Sequence, residues 1–425
     1  MAYHLSRRQL VAGGALAAAG AAVALRPVDR SGRRNPYFVK LQGALFRAGI
    51  ATPTLVVDRS RLDANVAALK RDLPPGMAYR IVAKSLPSLK LLERVRAGTG
   101  THRLMVFNLQ TLQSLARDMA DADLFLGKPL PIQAAKSFFA QSNGSATFDR
   151  IHWLIDTPER LTQFADLAKS QGGPLNVALE LDVGLHRGGM VPGEELAAAL
   201  NAIKGNSHLR FTALMGYEPH IAKLPTLFGW RDRELASAWK IYQDAQDQVK
   251  LVLGTQSLDR AIRNAAGSPT YRLYKDTKIA NEVSVGSALV KPTDFDTELL
   301  SIHRPAAFIA TPVIKGTYDT HLPGMTLVSQ VQALWDRNAS KTIFIYGGHW
   351  LAIPEDPPGL QFNDIFGRSS NQEMLNGGAK LVINPDEFIF FRPTQSEAVF
   401  LQFGDIAVYD SGEIVDRWPV FPASA

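Results

Sequence analysis

The feature that most constrains this chain is a serial alternation in which a short apolar run is followed by a longer amphipathic one, over about 240 residues. Runs at 53–58, 80–83, 104–108, 124–127, 151–156, 177–182 and 211–217 read as strands. They are followed by helical patterns at 61–73, 88–97, 110–119, 132–140, 159–170, 194–204 and 234–253. A strand at 261–265 and extended segments near 283–290 complete the series. The strands are mostly apolar rather than alternating, which is the pattern of a parallel sheet covered by helices. An open doubly wound sheet is the rival, but no G-x-G-x-x-G follows the first strand. The expected fold is therefore α/β, a (β/α)8 TIM-type barrel over residues 51–296, with its site at the C-terminal ends of the strands.

Beyond residue 297 the period changes. Short strands at 306–314, 325–335, 342–346, 387–391, 398–403 and 406–409 are separated by Gly, Pro and Asp. Asp410-Ser411-Gly412 reads as a hairpin turn before a last strand at 413–418. Residues 297–425 are thus expected to form a C-terminal, mostly antiparallel β-domain, on which an amphipathic helix at 37–50 could pack.

Composition removes several function classes. The chain has no cysteine, which excludes disulfides, thiolate metal sites and cysteine nucleophiles. Its 46 basic and 40 acidic residues are interspersed, with no basic stripe for a nucleic acid. Residues 1–24 carry Ser6-Arg7-Arg8-Gln9-Leu10-Val11, an Ala/Gly-rich apolar run and the small residues Ala22-Val23-Ala24. That order matches a twin-arginine export signal, so the mature protein is expected in the periplasm, without stable membrane insertion after cleavage.

Chemistry is sought at the strand ends. Lys84 directly follows the strand at 80–83, where an amine at a barrel mouth can act as a nucleophile. The alternative is an ordinary lysine reaching for water. The strand at 177–182 runs into Gly184-Leu185-His186-Arg187-Gly188-Gly189, a flexible loop whose arginine can grip an anionic oxygen. The next strand ends in Tyr217-Glu218-Pro219-His220, which brings a phenol and an imidazole together. Gly267-Ser268 and Gly286-Ser287 are late Gly-Ser turns, able to offer N–H and hydroxyl donors to a phosphate, although such pairs most often only make turns.

The ordered set is similar to the D-threonine aldolase and D-serine dehydratase family. The match begins at Thr52-Pro53-Thr54-Leu55-Val56-Val57-Asp58 and Lys84. It continues through Asp182-Val183-Gly184-Leu185-His186-Arg187, Gly216-Tyr217-Glu218-Pro219-His220 and Val285-Gly286-Ser287, and ends in Ile414-Val415-Asp416-Arg417-Trp418-Pro419-Val420. This family has the alanine racemase-like fold and carries pyridoxal 5′-phosphate. The resemblance implies that Lys84 is the Schiff-base lysine, that Arg187 partners the cofactor's phenolic oxygen and that Tyr217 lies near the pyridine ring. Gly267, Ser268, Gly286 and Ser287 would hold the phosphate. Lys84, Tyr217 and His220 are the catalytic candidates, His220 being equally readable as a residue that merely lines the mouth. A small amino acid is the expected substrate and a homodimer the expected assembly.

One departure matters. Metal-dependent members carry Pro-x-His-x-Cys or Pro-x-His-x-Asp on a late strand, whereas this chain has Pro393-Thr394-Gln395-Ser396-Glu397. An amide is a poor zinc ligand, so no metal site is expected. The resulting expectation is a lyase cleaving a Cα bond of a small D-amino acid. The alternatives are an amino-acid racemase, which needs no metal, and a non-catalytic cofactor-binding protein.

Overall fold

The structure, a computed structural model, describes residues 26–141, 149–321, 324 and 335–423. The export signal expected over 1–24 and most of the strand expected over 325–335 lie outside the described residues. The chain divides into two compact units. One holds Leu55–Phe308, Pro393–Ser411 and the described part of Val415–Ala425; the other holds the described parts of residues 1–54 and Ile309–Arg392, with Gly412–Ile414. A single cut at residue 297 does not coincide with this division, because segments from both chain ends cross it.

The first strand, β1 (Thr54–Asp58), enters the first unit at Leu55. Eight parallel strands then close a barrel: β2 (Ala78–Val82), β3 (Arg103–Val106), β4 (Asp123–Leu126), β5 (Ile151–Ile155), β6 (Leu175–Leu181), β7 (Leu209–Gly216), β8 (Ile262–Ala265) and β9 (Glu282–Val285). The ring shuts where β9 pairs with β2, in the register Ala78↔Glu282 to Ile81↔Val285. This corrects the order expected from sequence: β1 is not a barrel strand but pairs in parallel with Asp405–Asp410, and Glu282–Val285 supplies the eighth strand instead. An apolar run announces a buried strand but not its neighbour, which puts the expected ring one strand out of step.

The covering helices follow from local signals. In Pro158–Gln171, Thr157 caps the Arg160 N–H, Pro158 opens the first turn beside Glu159, and Gly172 closes the helix in the left-handed region. Its face of Leu161, Phe164, Leu167 and Ala168 is buried, and Phe164 meets Trp153 of β5 with ring centroids 5.5 Å apart. Truncating Phe164 to alanine would cost about 3–5 kcal/mol. The segment expected as a strand at 398–403 is instead a tight 3-10 turn at Phe400–Gln402, with Val399 and Phe400 buried. Its apolar run has no two-residue period to hold it extended.

The second unit is mostly antiparallel. β10 (Ala307–Asp319) pairs with β11 (Lys341–Tyr346) and, from Ile309, with β14 (Phe388–Pro393); β13 (Gln372–Gly377) pairs with β11 and with β12 (Gln361–Phe362). Helix Pro36–Arg47 belongs to this unit, with Phe38 stacked on Phe390 at 4.8 Å. No described helix is long and apolar enough to cross a membrane.

Candidate active site

Within the barrel unit a cavity of about 590 Å³, open to solvent, lies at the C-terminal ends of the strands. Lys84, Arg187, Tyr217, Gly267, Ser268, Gly286 and Ser287 all line it, drawn from five separate places in the chain. His220 does not. It sits on the turn Pro219–Lys223, where a side chain on Gly184 would come within 3.6 Å of its Nε2, and its buried Nδ1 has no partner among the described residues. Burial lowers its pKa, which favours the neutral imidazole beside the Arg187 loop.

Lys84 stands on the short turn Ala83–Ser85 that ends β2. Its Nζ is 3.3 Å from Glu397 Oε1 and 4.8 Å from the centre of the Phe107 ring. The lysine side chain is 41% exposed, so a carboxylate and an aromatic face hold the amine rather than a dry pocket. Arg187 is carried by a loop that Asp182 ties down. One oxygen of Asp182 accepts the N–H groups of Gly184 and His186, and the other meets the His186 ring at 2.9 Å. Although burial alone would raise it, these bonds hold the Asp182 carboxyl below its usual range. The Arg187 guanidinium lies 5.5 Å above the Tyr217 ring, and burial pushes that phenol up to about 12.

The two Gly-Ser turns interlock. Ser268 Oγ accepts the N–H groups of Gly286 and Ala288 at 3.2 and 3.0 Å, and the Ser85 and Ser287 hydroxyls share a hydrogen bond of 2.9 Å. Gly267 is required because an added Cβ would lie 2.4 Å from the Tyr217 ring. Behind this turn is a residue that the sequence does not single out. Glu218 is fully buried, accepts the Thr270 hydroxyl at 2.8 Å and the Ala266 N–H at 3.4 Å, and so braces a turn whose Ala266 has φ +62°. Burial raises its pKa to about 7.

Three further lining residues escape a reading of the sequence. Asn264 and Ser284 face inward from β8 and β9, bonded to each other at 2.8 Å, and the Asn264 Oδ1 is buried without a partner among the described residues. Polar residues inside otherwise apolar strands are the signal that could have found them. Glu397 looks from sequence like a surface or supporting acid, yet it faces Lys84. Its neighbour Gln395 donates its amide to Asp294 at 2.9 Å, so it ties this segment to the turn Thr293–Phe295. Among the described residues no three His, Asp or Glu side chains are grouped to hold a metal ion.

Known proteins resemble the chain in fold more than in sequence. No curated protein matches it at a significant level. D-threonine aldolase from Filomicrobium marinum superposes with a TM-score of 0.68 at 15% identity, covering 88% of this chain and 96% of that one. D-threo-3-hydroxyaspartate dehydratase from Delftia sp. HT23 gives 0.65 at 16% identity, with coverages of 88% and 98%. Alanine racemase from Clostridium difficile 630 gives 0.62 at 12%, with 86% and 98%. The family model for the alanine racemase N-terminal domain matches residues 57–294, more than half of the chain and all of the closed barrel. With its mouth lined by the lysine, arginine and Gly-Ser turns described above, the chain belongs to the alanine racemase N-terminal domain family.

Proposed function

We propose that this protein is a pyridoxal 5′-phosphate-dependent lyase that cleaves a Cα bond of a small D-amino acid. The observation that carries the reading is the convergence on one cavity of a lysine, an arginine and a double Gly-Ser turn from distant parts of the chain. The cofactor needs an amine for its aldehyde, donors for a doubly charged phosphate and a cation beside its phenolic oxygen. Lys84 is the amine and Arg187 the cation. Ser268 Oγ accepts two N–H groups and so keeps its own O–H to donate, and the Ser85–Ser287 pair leaves one further O–H, a donor set of the right kind for phosphate. Asn264 Oδ1, buried and unpartnered among the described residues, offers an acceptor for a ligand group. The residues present fit the group.

When bound, the cofactor supplies an electron sink for charge left at Cα. The chain's own residues do the rest. Lys84, freed by an incoming amino group, can take or return the Cα proton through Nζ. Glu397 sits beside that atom to balance its charge. Tyr217, protonated at neutral pH, can donate from its hydroxyl, and Glu218 keeps the phosphate turn in shape. The presence of an aldolase and a dehydratase among the similar folds supports the lyase reading. Racemisation is the second reading, favoured by Gln395, whose amide is spent on Asp294 rather than free to assist a metal. Export through the twin-arginine route, a periplasmic address and a homodimer complete the proposal. Retention in the cytoplasm on changing Arg7 and Arg8 to lysine tests the first two, and light scattering the third.

The deciding experiment is borohydride reduction of the purified protein and peptide mapping, followed by assays of D- and L-amino acids for ammonia, aldehyde and chirality change. A pyridoxyl group on Lys84, with ammonia or aldehyde from a D-amino acid, is expected. A lysine other than Lys84 carrying the group, or chirality change alone, sinks the lyase reading.

A further inference from the structure

Three charged side chains line the cavity, and two of them are cations: Lys84 and Arg187. Glu397 is the only carboxylate among the described lining residues, and it is placed rather than loose. Ser396 beside it is fully buried, with its hydroxyl 3.4 Å from Glu397 Oε2. The residues before it are held by two bonds to Asp294, the Gln395 amide on its carboxylate and its own N–H on the Thr394 carbonyl at 3.2 Å. Phe295, next to Asp294, is itself part of the cavity wall. The carboxylate reaches Lys84 Nζ at 3.3 Å, and its charge adds to the burial that keeps the Tyr217 phenol protonated. Glu397 therefore stands beside Lys84 and Tyr217, the groups that would handle Cα. The other cation of the lining, Arg187, lies over the Tyr217 ring and is the one assigned above to the cofactor's phenolic oxygen, and Met105, Phe107, Met215 and Phe295 in the same lining carry no charge.

We propose that Glu397 is a charge filter that sets the substrate class. It admits small amino acids whose side chain donates a hydrogen bond or carries positive charge, and it turns away dicarboxylic ones. The physical ground is that a like charge brought against a fixed carboxylate is penalised, whereas a hydroxyl or ammonium can share Glu397 with Lys84. On this count the chain parts from one of its structural neighbours, a D-threo-3-hydroxyaspartate dehydratase, which is named for a dicarboxylic substrate. The inference rests on the cofactor reading above.

The test is a binding titration that does not depend on turnover. The visible absorption of the cofactor-loaded protein is followed as D-serine or D-threo-3-hydroxyaspartate is added, since these share a β-hydroxyl and differ by one carboxylate. In the unaltered protein, half-saturation is expected at about tenfold lower concentration for D-serine, the ratio narrowing in high salt. Glu397→Gln should bring the ratio to within about threefold, and Glu397→Asp, which keeps the charge, should preserve most of it. Equal half-saturation in the unaltered protein, or an undiminished ratio in Glu397→Gln, overturns the filter while leaving the cofactor reading intact. Absence of a Lys84-dependent visible band overturns both.

Discussion

The barrel carries an acid-base pair at each end, and the two behave as opposites. At the N-terminal end Arg80 and Glu282 are both fully buried, joined by two hydrogen bonds of 2.6 and 3.1 Å. Arg80 also bonds Asp123 at 2.7 Å and lies over the Phe125 ring, and Glu282 accepts from Arg103 at 2.8 Å and Asn264 at 2.8 Å. Both charges are held by several partners at once, so removing either leaves the others short of a partner. At the mouth, Lys84 and Glu397 are 41% and 31% exposed and meet at one contact of 3.3 Å. That pair can part and re-form as a ligand arrives. A buried, saturated pair builds a wall, and a half-open one leaves groups free for chemistry.

The floor is where this contrast should break most violently. Replacing Glu282 with alanine leaves the buried Arg80 guanidinium with Asp123 as its one carboxylate among those named and should cost about 3–5 kcal/mol. Thermal melts should fall by on the order of 10 °C, and a near-unchanged midpoint would show that the network carries no weight. Glu218 gives the next largest effect. The native chain holds its proton up to about pH 7 against an ordinary value of 4.5. Between these values the folded state binds more protons than the unfolded one, so stability should decline as pH rises through the window and level off above it. Glu218→Gln should flatten that slope in denaturant titrations across the same window, whereas a mutant slope equal to the original places the titration elsewhere.

The mouth should respond in ligand binding, not folding. Ser268→Ala removes one hydroxyl from the proposed phosphate cradle and should weaken cofactor binding about fivefold to tenfold by absorbance titration. An affinity unchanged within error would take Ser268 out of the cradle. The pair itself is worth about 0–1 kcal/mol at this exposure, so Lys84→Ala should melt within a few degrees of the original while losing the reducible label. A collapse like that of Glu282→Ala would contradict the contrast between the two ends. The smallest effect is expected from metal removal: extensive dialysis against a chelator should leave turnover intact. Activity lost on chelation and restored by zinc or manganese would return the reaction to the metal-assisted lyases.

Much of this is readable from the sequence, and the failures have physical causes. The serial alternation announces the barrel because period and length are local properties. Lys84, Arg187 and the Gly-Ser turns stand out because they follow strands directly, where a TIM barrel exposes its site. Partnership between distant elements is not readable. Nothing local in Thr54–Asp58 says that its neighbour is Asp405–Asp410, and nothing in the tripeptide Gln395-Ser396-Glu397 says which residue faces Lys84. His220 shows the converse limit, since its nearness in sequence to Tyr217 suggests a shared site but its turn sets the ring against Gly184 of the Arg187 loop rather than in the cavity lining.

The seam between β9 and β2 has a consequence in time. Ser85 and Ser287 touch across it although 202 positions separate them in the chain. At ribosomal speeds of about 5–20 residues per second, the lysine turn waits some ten to forty seconds for the turns it must face. Until then the ring is open and there is no cradle. A group held by both turns therefore could not guide early folding; it could only lock a finished circle.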